Sequence, residues 1–202
     1  CMDAALFSFD TGRRFFSSNR LTKAAVAATG ATGGAFGLAA LPIELPVTTS
    51  LMLRSIAEIA SRQGEDVHSP EGRVACLEVL ALGGRSLDDD DSEIGYFAVR
   101  AALAQEVTAA IRFLNSATQR QTAPALIRLI EAVAARFGIV VSQKAAAGAI
   151  PVIGAIGGAG VNALFMDHYQ DMAQGHFTVR RLERKYGAEA VRREYERLRA
   201  SR

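Results

Sequence analysis

Two stretches of this 202-residue chain are almost free of charge, and they restrict the fold more than any other feature. Residues 24–53 carry one ionisable side chain, Glu44, and residues 145–166 carry none. Each contains a glycine-spaced phrase, Gly30-Ala-Thr-Gly-Gly-Ala35 and Gly154-Ala-Ile-Gly-Gly-Ala159. Glycines four apart strip one helix face of side chains, so that a second helix backbone can approach closely. Segments this apolar must be covered by protein or by lipid. About 20 apolar residues span a hydrocarbon core, so the second stretch is long enough. Its weight is in Ala and Gly, which favour the bilayer only weakly, and Pro151 interrupts it. Pro42, Glu44 and Pro46 make the first stretch a poorer span still. Close-packed protein core is the expected environment, and membrane-inserted hairpins are the alternative.

The remainder reads as helix. Ala, Leu, Glu and Arg dominate the periodic stretches, and no alternating run of β-branched residues persists. The expected fold is all-α: a compact helical bundle around two Ala/Gly-rich, tightly packed central segments, forming a single domain over residues 1–202. Residues 1–20 form a partial N-terminal region with an opening helix at 3–17. Thr48 or Thr49, just after Pro46, is placed to cap a helix carrying Leu51, Met52, Ile56, Ile59 and Ala60 that stops near Gly64. Ser69-Pro70-Glu71 is a stronger start, with a hydroxyl cap, a proline at the first helical position and an acid at the positive end of the dipole. That helix is expected to end at Gly83-Gly84. Amphipathic helices follow at 92–117 and 124–137, separated by the polar break "SATQRQT", and residues 162–187 continue the second apolar segment as helix. Residues 188–202 read as a basic C-terminal helix.

Charge and composition remove several function classes. Formal net charge is only +2 and Trp is absent, so neither a global field nor a set of stacking rings favours nucleic acid. The glycine phrases lack the Lys-Ser/Thr of a phosphate loop and follow no predicted strand, which argues against nucleotide binding. Asp88 to Asp91 lack the ligand spacing and closing glutamate of an EF-hand and read as a solvated loop. Cys1 and Cys76 form no CxxC or Cys/His pattern, which fits a reducing compartment. Cys1 stands where Met would, without a signal sequence or cleavage box, and reads as truncation rather than a lipidated terminus. Charge is uneven nonetheless. Residues 180–202 hold nine basic and four acidic side chains, a net +5 that leaves −3 for the rest. Such a segment suits a solvated helix or an anionic membrane surface.

Ionisable groups in apolar surroundings are the candidates for chemistry. Arg54 and Glu58 lie four apart on one helix, with Glu44 near its entry, and are expected to compensate one another. Glu78, within "RVACLEVLALGG", must pair, ligate or protonate if buried, and Arg54 is a plausible partner. The densest polar cluster is residues 162–187. There Asp167 and Asp171 share a helix face, while His168, Met172 and His176 recur at intervals of four along another. Facing helices can build a metal site from such groups, so Asp167, His168, Asp171 and His176 are candidate ligands, with Glu58 or Glu78 as a general base. No G-x-S-x-G or comparable nucleophile motif is present. No particular cofactor is indicated.

Three blocks in order, "ELPVTTSLMLRSIAEIA", "ACLEVLALGG" and "PVIGAIGGAGVNALFMDHYQDMAQGHFTVRRLERKYG", resemble the bacterial EcsC protein family over residues 20–187. Glu44, Arg54, Glu58, Glu78, Asn162, Asp167, His168, His176, Arg181 and Glu183 fall in the matching blocks. The family's namesake is associated with an ABC transporter, so the resemblance implies membrane-linked biology without naming a reaction. It leads to a non-catalytic accessory or interaction protein on the cytoplasmic side of the bacterial inner membrane, peripheral or hairpin-inserted. Its partner would be the membrane surface or a membrane protein, with Glu44, Arg54, Glu58, Glu78, Arg181 and Glu183 as a structural polar cluster. The alternatives are a metal-dependent hydrolase acting at the membrane, with Asp167 and the two histidines in its site, and a soluble helical scaffold.

Overall fold

The computed structural model describes residues 2, 3 and 6, 41–83, 96–116, 124–147 and 154–201, with the side chains of 41–45, 136, 138–147 and 154–162 outside that description. The described residues form six helices and no strand: α1 (Leu41–Arg62), α2 (Pro70–Leu82), α3 (Tyr96–Asn115), α4 (Pro124–Ala147), α5 (Gly154–Tyr186) and α6 (Ala188–Ala200). The opening helix expected at 3–17, the Gly30 phrase and the aspartate run lie largely or wholly outside the described residues. Among the described residues no helix is long and apolar enough to cross a membrane.

Helix α2 organises the bundle, packing against α1, α3, α4 and α5. Its start follows from the sequence: the Ser69 hydroxyl accepts from the Gly72 amide at 3.0 Å, and Pro70 occupies the first turn, where a missing N–H costs nothing. Nine of its 13 residues are buried, and beyond Glu71 and Arg73 in its first turns it has little solvated surface on which to leave a charge. Helix α1 departs from the sequence reading. It begins at Leu41 and runs through Pro46, rather than starting at Thr48 or Thr49. Thr48 is buried inside the helix, and the Ser50 hydroxyl bonds back to the Pro46 carbonyl at 2.8 Å. Burial of Met52, Leu53, Ile56, Ala57 and Ala60 outweighs the local preference to restart after proline. The helix stops where expected, with Gly64 at φ +81° and Glu65 N–H donating to the Ala60 carbonyl at 3.0 Å. Helix α4 extends past Phe137 to Ala147, because an interior glycine costs about 1 kcal/mol, too little to end a helix alone.

Helix α5 is the long strut that brings distant residues together. The Gln170 amide donates to the Ser55 hydroxyl of α1 at 2.8 Å, in a buried contact. Tyr169 packs its ring on Phe137 and Phe165, with centroids 5.8 and 5.1 Å away. The edge of the same ring meets the end of α2 at Gly83. His168 Nε2 donates to the Gly83 carbonyl at 2.9 Å, so the α2 C-terminus is held by two neighbours on α5. A Cβ at position 83 would lie 2.3 Å from Tyr169 Cε1 and 2.8 Å from Cδ1 and Cζ. Because that ring is enclosed, Gly83→Ala is expected to destabilise the fold by about 1–3 kcal/mol, measured as a shift in denaturation midpoint against wild type.

Candidate functional site

Three helices converge on the only carboxylate of α2's buried inner turns. Helix α2 contributes Glu78, α3 contributes Tyr96 and Arg100 from its first turns, and α5 contributes His176, Arg180 and Glu183. The α5 residues are spaced i, i+4 and i+7, which puts them on one face of the helix. His176 is fully enclosed. Its Nδ1 lies 2.9 Å from the Tyr96 hydroxyl, and its Nε2 lies 3.9 Å from Glu78 Oε2 without a hydrogen bond of its own. The Glu78 side chain is 7% exposed and lines a cleft of 340 Å³ between α3, α5 and α6.

Two guanidiniums on the cleft wall are held rigidly by carboxylates. Arg100 grips Glu183 with Nη1 and Nη2 at 2.8 and 3.1 Å, and Arg180 grips Glu65 with Nε and Nη2 at 2.9 and 3.3 Å. Arg184 joins Glu65 as well and donates to the Gln63 carbonyl at 2.8 Å. Paired forks of this kind are geometrically specific and fix both partners. Phe97 supplies an aromatic wall, with the guanidiniums of Arg100 and Arg192 at 5.8 and 5.9 Å from its centroid.

Burial and these charges set the ionisation of the site. Burial, reinforced by Arg180 and Arg100, lowers His176 from the ordinary 6.5 to about 3, so the imidazole is neutral. Burial also pushes Glu78 up, against the opposing pull of Arg100 and Arg180 and with a smaller push from Glu183. Glu65 falls below the carboxylate range: burial would raise it, but bonds and charge from Arg180 and Arg184 outweigh that. Tyr96 is raised by burial and stays protonated. The arrangement holds a neutral imidazole that resists protonation and a carboxyl that resists ionisation side by side, next to two fixed cations.

The sequence candidates are only partly assembled here. Glu78, His176 and Glu183 meet in the site. Arg54 is buried elsewhere on α1, and the groups acting on Glu78 are His176, Arg100, Arg180 and Glu183 instead. Glu58 pairs forward with Arg62 at 2.5 Å. Arg181 and Asp171 are exposed, Asp167 is half-buried, and His168 is committed to the Gly83 carbonyl. The side chains of Glu44 and Asn162 lie outside the described residues. Among the described residues, no three His, Cys, Asp or Glu side chains come together to hold a metal ion. Tyr96, Arg100, Glu65 and Arg180 were not legible as site residues. Tyr96 and His176 are 80 positions apart, and nothing in local spacing links them.

The family model for EcsC proteins matches residues 11–182, which takes in Glu65, Glu78, Tyr96, Arg100, His176 and Arg180 of this constellation and stops one residue short of Glu183. The chain belongs to the EcsC protein family. No curated protein and no solved structure matches this EcsC chain. His176 and Arg180 of α5 sit within the EcsC region, while Glu183 and the whole of α6 lie beyond the matched residues.

The two buried groups predict opposite pH slopes. Between about pH 6.5 and pH 3 the unfolded chain takes up a proton at His176 that the folded chain refuses, so stability falls as pH drops through that window. Glu78, raised from 4.5, stabilises the fold below that value, and this contribution is lost as pH rises through its folded pKa. His176→Gln is expected to flatten the acid slope and Glu78→Gln the opposing one, read from denaturation midpoints across pH.

Proposed function

We propose that this EcsC chain is a non-catalytic accessory protein that docks peripherally on an anionic membrane surface, on the cytoplasmic side of the bacterial inner membrane. The observation that carries this reading is α6, a helix none of whose side chains is buried although it is amphipathic along its length. With α5 it forms an apolar groove of 430 Å³ lined by Val179, Leu182, Tyr186, Val191, Tyr195 and Leu198. Leu198 and Tyr186 are 54% and 59% exposed. Contiguous apolar surface of this kind marks an interaction site more often than chance.

Cations on neighbouring positions select the occupant. Arg181, Lys185, Arg193, Arg197 and Arg199 are exposed on the same two helix segments. Some of this charge is answered locally: Arg192 pairs with Glu196 and Arg197 with Glu194. Such exposed pairs contribute little and yield readily to stronger anions. An apolar strip flanked by arginines suits the boundary between headgroups and acyl chains of an anionic leaflet.

Flotation with vesicles tests this. Binding is expected to vesicles containing phosphatidylglycerol and not to pure phosphatidylcholine, and to weaken steeply with salt. Arg193→Gln and Arg197→Gln should each lower partitioning about fivefold, the equivalent of about 1 kcal/mol per surface cation. Equal binding to neutral vesicles, or indifference to both substitutions, would sink the proposal.

A further inference from the structure

The cleft beneath α6 has the features of a built ligand site, independent of any membrane contact. Its floor carries a carboxyl that makes no hydrogen bond among the described residues. Glu78 lines the cleft, is more than nine-tenths buried, and has His176 Nε2 as its polar neighbour at 3.9 Å, beyond hydrogen-bond reach. That nitrogen is itself buried without a partner, since the Tyr96 hydroxyl engages the other ring nitrogen. An unmet buried polar group costs about 1–3 kcal/mol, so the partnerless His176 Nε2 beside a carboxyl that opens on the cleft calls for an explanation beyond packing.

The walls supply donors. A guanidinium has five N–H groups. Arg100 gives two to Glu183 through its terminal nitrogens, which leaves its Nε–H and two others, and Arg180 gives two to Glu65, which leaves both Nη1 hydrogens among its remaining three. Because the carboxylate clamps already fix both forks, a ligand accepting from them orders little that is not ordered. Phe97, Ala101, Ala104 and Val107 add an apolar side to the cleft. Its volume falls at the small end of the range for small-molecule sites.

Donors decide the class of ligand. The lining holds Arg100, Arg180 and Arg192 against Glu78, Glu183 and Glu189. Each guanidinium is already answered by a carboxylate, Arg100 by Glu183, Arg180 by Glu65 and Arg192 by Glu196, so the spare N–H groups rather than net charge favour an acceptor, and a proton on Glu78 makes its carboxyl a further donor. We propose that this cleft binds a small soluble molecule bearing an oxyanion, which accepts from Arg100 and Arg180 and from protonated Glu78. The spare fork hydrogens receive the oxyanion, and the apolar wall covers the body of the molecule beside Phe97.

Proton uptake is the signature that separates this site from an ordinary arginine patch. The groups facing Glu78 are Tyr96 and Arg100 from α3 and His176, Arg180 and Glu183 from α5, with Glu189 and Arg192 of α6 across the cleft. Among the described residues, α1 and α4 contribute no charge to its titration. His176 stays neutral near neutral pH, so Glu78 is the group that takes the proton.

The test is a titration of the full chain, without lipid, with sodium benzoate and separately with inorganic phosphate, followed through the Arg100 side-chain Nε–H resonance. Saturable shifts are expected with at least one probe, and benzoate, whose own charge is constant near neutrality, should bind up to about tenfold more weakly per unit rise in pH above the folded pKa of Glu78. Glu78→Gln replaces the protonated carboxyl with a permanent donor and should retain binding while losing that pH dependence, with its melting midpoint confirming a folded chain. Absence of saturation by either probe at about 10 mM would overturn the proposal, because that concentration corresponds to less than about 3 kcal/mol of binding. An unchanged pH dependence in Glu78→Gln would overturn the role of its proton. A shift of the Arg100 resonance by anionic vesicles and not by either soluble probe would overturn the soluble ligand in favour of a headgroup.

Discussion

A helix enclosed on nearly every face cannot carry a carboxylate without consequence, and α2 is such a helix. Its four packing partners remove the solvated stripe on which an amphipathic helix would normally leave its polar residues. Glu78 is therefore held inside, and the surrounding helices must answer it. They do so incompletely: an imidazole stands near but out of hydrogen-bond range, and two guanidiniums are directed mainly to other carboxylates. The site's unusual ionisation follows from that enclosure. Buried Cys76, two residues earlier on the same helix, is pushed up to about 12 by the same dehydration and behaves as a small apolar group.

The two carboxylate clamps divide the structural work from the chemical potential of the site. Glu65, at the turn after α1, gathers Arg180 and Arg184 and so ties the last turns of α5 to the end of α1. Glu183 reaches across to Arg100 and ties α5 to α3. Both pairs are partly buried, where breaking one partner costs far more than an exposed pair would. Because these interactions hold α5 in place, Glu78 and His176 are free of that duty. Residues that carry the fold and residues left with unmet polar atoms sit one helical turn apart on α5.

What the sequence could tell depended on whether the deciding interactions were local. The start of α2 was legible because its cap, proline and acid lie within three consecutive residues, and the end of α1 because Gly64 marks it. The start of α1 was not, because burial of residues ten positions further on carries the helix through Pro46. The apolar neighbours of Glu78 raised its burial only as a condition, with exposure at the helix edge the simpler reading, while His176 stood out in the polar cluster on α5. Their meeting was not legible. Arg54 was the nearer candidate in sequence, but the charges that act on Glu78 come from α3 and α5. Tyr96 and Arg100 carried no signal, since an aromatic and an arginine opening an amphipathic helix look like any surface turn.

Gly187, at φ +86°, turns the chain between α5 and α6 with a conformation few other residues adopt. The helix it redirects is at once the lip of the apolar groove and, through Glu189 and Arg192, a wall of the polar cleft. One rigid element thus belongs to two surfaces. Any occupant of the cleft that prefers one setting of α6 alters the affinity of whatever meets the groove, and thermodynamic reciprocity requires the groove's occupant to alter the cleft by the same factor. A single backbone angle thus sets one helix where the two hollows can be coupled.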